Sequence, residues 1–133
     1  MNIALVCHEF PPYLIGGVGT YASGLARFLS KRKVYTRVYC GISKRKKIEQ
    51  INDYLEVVRL PFLDMPLRAY WFQLQNLRIF SNELGKHDVV HAVSPQSAAI
   101  CAILKDRSRK PVITTVHNIP LEMMKAFAIA PWY

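Results

Sequence analysis

The stretch from Phe10 to Gly19, Phe-Pro-Pro-Tyr-Leu-Ile-Gly-Gly-Val-Gly, is the part of the chain best suited to meeting a ligand. It follows Ile3-Ala4-Leu5-Val6-Cys7, an apolar run of the kind that forms a strand buried on both faces. After it, Val18, Tyr21, Ala22, Leu25, Phe28 and Leu29 recur on one face of a helix. Glycines between a strand and a helix let the backbone approach a ligand. The helix start adds unpaired N–H groups and a partial positive charge. A diphosphate is the natural guest. The competing reading is a tight turn whose glycines supply positive φ. The spacing Gly16-Gly17-x-Gly19 is not the dinucleotide pattern GxGxxG, which argues against a dehydrogenase.

Other reactive side chains are sparse. Glu9 stands just before the loop and reads either as a polar contact to a ligand or as a plain loop carboxylate. Tyr13 lies inside the loop, and His91 and His117 fall at expected strand ends. No nucleophile–base pair with Ser/His/Asp spacing is present. Cys7, Cys40 and Cys101 are far apart in apolar contexts, so they read as buried reduced thiols rather than a disulfide frame or a zinc site. No metal or other cofactor is expected.

These groups need a scaffold. Strands are expected at residues 2–7, 35–40, 54–60, 88–93 and 111–116, with helices between them and a polar, basic connection over 41–53. Asp64 is placed to cap the second helix, with Pro66 in its first turn. That helix carries Leu67, Tyr70, Trp71, Leu74, Leu77, Phe80 and Leu84 at helical spacing and stops at Gly85. Trp71 and Leu74 are assigned to the core, and Tyr70 and Phe72 to contact with a ligand, lipid or a further domain. Ser94-Pro95 marks another helix start. The alternation predicts an α/β fold: a Rossmann-like, doubly wound parallel sheet with helices on both faces. The apolar end, Met123 to Tyr133, reads as an interruption before the last strands.

The 133 residues suit one domain, and 51% hydrophobic content excludes disorder. No apolar run is long enough to span a membrane, and the start lacks a basic leader, so a cytoplasmic protein is expected. The net charge is +9, and Phe10 to Ile48 contains no Asp or Glu. Basic residues from Arg27 to Lys47 therefore form a field that attracts anions: nucleotide phosphates, nucleic acid or an acidic membrane. No nucleic-acid-binding motif accompanies it. Lys44, Arg45, Lys46 and Lys47 read as a solvated loop or as a contact to an anionic membrane.

The segment FPPYLIGGVGTYASGLARFLSKR resembles the opening of family 4 glycosyltransferases, which have the two-domain GT-B fold. Asp88-Val89-Val90-His91-Ala92 resembles the family's "DVVHAH", and Thr114-Thr115-Val116-His117-Asn118 resembles its "TVHG/TVHD". Three departures stand out. The family's "RGH" glycine is Lys33 here, the second histidine of "DVVHAH" is Val93, and Asn118 replaces glycine or aspartate. The resemblance implies a retaining transfer of sugar from a nucleotide-diphosphate donor to a glycan or lipid-linked acceptor. It implies that Gly17, Val18 and Gly19 turn backbone N–H groups toward the donor diphosphate. His117 would sit in the cleft near the donor sugar and hydrogen-bond to developing charge. Glu9, Tyr13, His91 and Asn118 become acceptor or cleft candidates.

Nothing in the chain resembles the donor-binding half, with its Arg/Lys pair and E-x7-E glutamates. Residues 1–133 are therefore expected to be a single acceptor-side domain, incomplete and inactive alone. It would work beside its second domain or a chain carrying one, at the inner face of the membrane. An exposed half-cleft and open sheet edge favour self-association. The alternative is a non-catalytic anion-binding module that docks on membrane or nucleic acid through its basic 27–47 stretch.

Overall fold

The structure, a computed structural model, describes residues 1–13, 16–62 and 67–117. Asp64, Pro66, Asn118 and the apolar end lie outside the described residues. The elements run β1 (Asn2–Val6), α1 (Gly17–Lys31), β2 (Tyr35–Ser43), β3 (Lys47–Asn52), β4 (Leu55–Pro61), α2 (Arg68–Gln75), α3 (Leu77–Glu83), β5 (Val89–Ala92), α4 (Pro95–Ile103), α5 (Lys105–Ser108) and β6 (Val112–Thr114). A single 3-10 turn, Leu84–Lys86, links α3 to β5.

One mixed sheet has the order β3-β4-β2-β1-β5-β6. Every pairing is parallel except β3 on β4, which is antiparallel. The chain steps outward from β1 to β2 and β4, then returns to the other side of β1 for β5 and β6. The reversal lies between β1 and β5. In open α/β sheets the crevice at such a point, outside the carboxyl ends of the strands, is where ligands bind.

The central strand is buried along most of its length, and its side chains alternate between two cores. Ile3 and Leu5 join Ala22, Ala26, Val38 and Val57 under α1. Ala4 and Val6 join Tyr39, Val58, Phe72, Phe80 and Ile100 on the opposite face. Helices thus cover both faces, as the alternating pattern predicts. Cys7, Cys40 and Cys101 are free and buried in these cores, as their apolar surroundings suggest. Burial pushes each thiol well above its ordinary range.

The end of α1 explains one family departure. Lys33 N–H donates to the Ser30 carbonyl at 2.9 Å, and Val34 N–H donates to that of Leu29 at 3.0 Å. This paired closure requires a left-handed residue after the helix cap. Lys33 supplies it, at φ 59°. The lysine occupies the glycine's place and takes the glycine's conformation.

Two expectations are corrected. The segment 41–53, read as a polar connection, contains the end of β2, strand β3 and the start of its tight turn into β4. Its isoleucines, Ile48 and Ile51, do not alternate, and both are exposed. Backbone pairing to β4, not burial, makes this a strand. The helix expected from Leu67 to Leu84 is instead two helices that meet at Asn76. The buried Asn76 amide donates to the Phe72 carbonyl at 3.0 Å and to Pro61, outside the helix, at 2.8 Å.

The buried face of α2 also differs from the expectation. Phe72 is 0% exposed, whereas Trp71 is 38% and Leu74 55% exposed. Phe72 fits because Gly41 faces it: a Cβ there would lie 3.2 Å from the Phe72 ring and 3.1 Å from the His8 carbonyl oxygen. Gln73 is buried beside Phe72, and its amide reaches Ser97 Oγ at 2.8 Å. Leu67, Tyr70, Trp71 and Leu74 therefore form a stripe that faces out.

Candidate functional site

Helix α1 starts at Gly17, with Gly16 extended as its cap and without a side-chain hydrogen bond of its own. Neither ordinary reason for glycine applies at position 17. Among the described residues no glycine has positive φ. A Cβ on Gly17 would meet nothing within 4 Å. Gly17 is exposed, Val18 half-buried and Gly19 buried. The first turn thus opens at the carboxyl end of the sheet, beside the crevice between β1 and β5.

The positive end of α1 already has a carboxylate. Glu9, only 7% exposed, accepts the Gly19 amide on Oε2 at 3.3 Å. Its Oε1 lies 3.2 Å from His8 Nε2. Burial lowers the His8 pKa, and the Glu9 charge partly offsets this. In this structure Glu9 caps the start of α1.

Arg59 was not singled out from the sequence. It is buried on β4, with Nε 3.0 Å from Glu49 Oε2. Its Nη2 donates to the Pro11 carbonyl, and its guanidinium lies 5.6 Å from the Tyr13 ring centroid. Arg59 therefore holds the proline-rich half of the loop. Tyr13 itself is exposed, stacked on this clamp.

His91 and His117 both lie edge-on to the Tyr21 ring. His91 is half-buried on β5, and its Nε2 is 2.8 Å from Thr115 Oγ1. The same Thr115 oxygen is 3.2 Å from the Tyr21 hydroxyl, and the Tyr21 ring meets His117 edge-on at 4.8 Å between centroids. Burial lowers the His91 pKa, and nearby His117 lowers it further. Both histidines, Tyr21 and Thr115 thus share one side of the crevice, while Glu9 and the glycines share the start of α1. Tyr21 and Thr115 were missed as site residues, because Tyr21 fits the apolar helix pattern and threonine is common in strands.

The basic residues lie elsewhere. Lys44, Arg45, Lys46 and Lys47 are exposed where the chain passes from β2 to β3, the edge strand of the sheet. Lys47 lies 3.0 Å from Glu49, and Lys46 is 4.0 Å from Glu83. Exposed pairs of this kind contribute little to stability. Among the described residues no helix is long and apolar enough to cross a membrane.

Residues 15–132 match the family model described as Glycosyltransferase Family 4. The chain is also 28% identical over 122 residues to an uncharacterized glycosyltransferase of Methanocaldococcus jannaschii. That match takes in 89% of this chain and 31% of the relative, so the chain spans about a third of the relative's length.

Proposed function

The chain belongs to glycosyltransferase family 4, and from that premise we propose that it forms the acceptor-side wall of a GT-B transferase. The reaction is a retaining transfer of a sugar from a nucleotide-diphosphate donor to a glycan or lipid-linked acceptor. The observation that carries this reading is Gly17. It stands at the start of α1, next to the switch point of the sheet, and nothing in the described fold calls for glycine there. Close approach of a ligand does call for it.

In this reading the Gly17 and Val18 amides meet the donor diphosphate, and Gly19 joins them when Glu9 yields its amide. His117 donates a hydrogen bond to charge that develops on the leaving group or the sugar. His91, Tyr13 and Asn118 belong to the acceptor side of the cleft. The donor-binding half is supplied by a second domain or by another chain, and the site of action is the cytoplasm, at the inner membrane face. A metal is not required by this scheme.

The test is an NMR titration of the chain with UDP-glucose, GDP-mannose and ADP-glucose at millimolar concentration. At least one donor should shift the Gly17, Val18 and Gly19 amides and the His117 ring, and Gly17→Val should abolish the response. Equal shifts in Gly17→Val and the unmodified chain would reject the assignment.

A second reading rests on the exposed Lys44–Lys47 segment: a module that docks on an anionic membrane or nucleic acid. It calls for binding to anionic vesicles or to RNA whose salt slope falls as these lysines are removed.

A further inference from the structure

We propose that Tyr21 is the positioning residue for His117, with Thr115 as its anchor. The inference rests on the role given to His117 above and extends it to residues that act through His117.

Three elements converge here. Tyr21 comes from the second turn of α1, Thr115 directly follows β6, and His91 lies on β5. His117 itself is exposed on a bend beyond β6. An imidazole in that setting has rotational freedom, and a hydrogen-bond donor is effective only when held ready in place. The Tyr21 ring supplies a wall, at 4.8 Å between centroids and 73° between planes. It also stands edge-on to His91, at 6.4 Å and 74°. One tyrosine thus separates and orients two histidines.

Tyr21 needs an anchor of its own, because it is exposed and core packing does not fix its ring. The hydroxyl provides one, 3.2 Å from Thr115 Oγ1. Thr115 Oγ1 in turn is 2.8 Å from His91 Nε2. A threonine hydroxyl can donate once and accept twice. With His91 neutral and its proton on Nδ1, Tyr21 donates to Thr115 and Thr115 donates to His91. With the proton on Nε2, His91 donates to Thr115 and Thr115 donates to Tyr21. The chain of bonds closes in either tautomer, so the ring is held in both.

The experiment is NMR of the whole chain with labelled histidine Cε1 and backbone amides, with and without inorganic pyrophosphate. In the unmodified chain the His117 Cε1–H resonance should be displaced by the Tyr21 ring current and should move on adding pyrophosphate. Tyr21→Leu should remove the displacement and cut the pyrophosphate response several-fold, while the Gly17–Gly19 amides still respond. Tyr21→Phe keeps the wall without the anchor, as does Thr115→Val. Each should reduce the displacement partway, and Thr115→Val should also move the His91 nitrogen resonances. These milder variants carry the test if Tyr21→Leu fails to fold. A His117 resonance unchanged in Tyr21→Leu, or in both milder variants, overturns the positioning role and leaves the donor site intact. Loss of the ring-current displacement in Tyr21→Leu, with no pyrophosphate response at Gly17–Gly19 in any chain, overturns the donor-site reading. The proposal would fall with it, because Tyr21 would then hold a histidine with no reaction to serve.

Discussion

Gly19 donates its amide to Glu9 across 3.3 Å, so the helix end proposed to receive a diphosphate already holds a charge of the same sign. A helix N-terminus stabilises an anion modestly, by about 0.3–1 kcal/mol on a surface and up to about 2 kcal/mol when partly buried. Glu9 takes that stabilisation, and a phosphate must share or displace it.

Glu9→Gln removes the charge and keeps an oxygen that can accept from Gly19. Pyrophosphate affinity should rise about threefold to tenfold, since about 1.4 kcal/mol corresponds to tenfold. The fold should lose about 1 kcal/mol or less, as expected for a weakened cap. Titration followed at the Gly17 and Val18 amides, together with thermal unfolding, measures both. An unchanged or weaker affinity would show that Glu9 does not compete.

Lys33 is in the left-handed region without being glycine. An L-residue incurs about 1–2 kcal/mol there, and glycine gives back part of the gain in chain entropy. Lys33→Gly should therefore stabilise the chain by about 0.5–1 kcal/mol, read as a higher denaturation midpoint with an unchanged slope. Lys33→Val should do the reverse.

His87 links the edge of the fold to pH. Its Nδ1 is 2.8 Å from Asn2 Oδ1, and its Nε2 is 2.9 Å from the Tyr39 hydroxyl. With the asparagine oxygen as acceptor, Nδ1 carries the proton and Nε2 accepts from Tyr39, so the ring is neutral. Burial, and then nearby Arg37, depress its pKa to about 4. The unfolded chain therefore binds the extra proton between the ordinary value near 6.5 and about 4. Stability should be full above that window and fall through it on acidification, with a slope that approaches about 1.4 kcal/mol per pH unit. Below it, Glu49 and Glu83, both held below their ordinary range by cations, add to the loss. Denaturation at a series of pH values checks this, and His87→Gln should flatten the upper part of the curve.

Features that depend on neighbours in sequence were legible. The buried strand before the glycine loop, the periodicity of α1 and the start of α4 are local. At that last point Ser94 accepts from the Ser97 amide with Pro95 following. Strand β3 was not legible, because Ile48 and Ile51 lack the alternation of a half-buried strand and the backbone of β4 holds it. The face of α2 was misread for a related reason. Its apolar stripe points outward, while Gln73 and Asn76 are buried because their amides find partners on Ser97 and Pro61. At the candidate site, the glycines and His117 are named from motif spacing. Tyr21 and Thr115 are 94 positions apart, and only the sheet order brings them together.

Thr115 and His117 follow β6, which has three residues and, among the described residues, pairs only with β5. Central β1 is paired on both sides. Opening free energies differ from segment to segment within one native protein, and a short strand with one partner belongs to the low end. Such a strand can detach and return while β1, β2 and β4 stay in place. The histidine cluster would then come apart in a local fluctuation that calorimetry does not register. Amide exchange at Thr114 and Thr115 should outpace exchange at Leu5 and Val38, and any ligand that engages His117 should slow it.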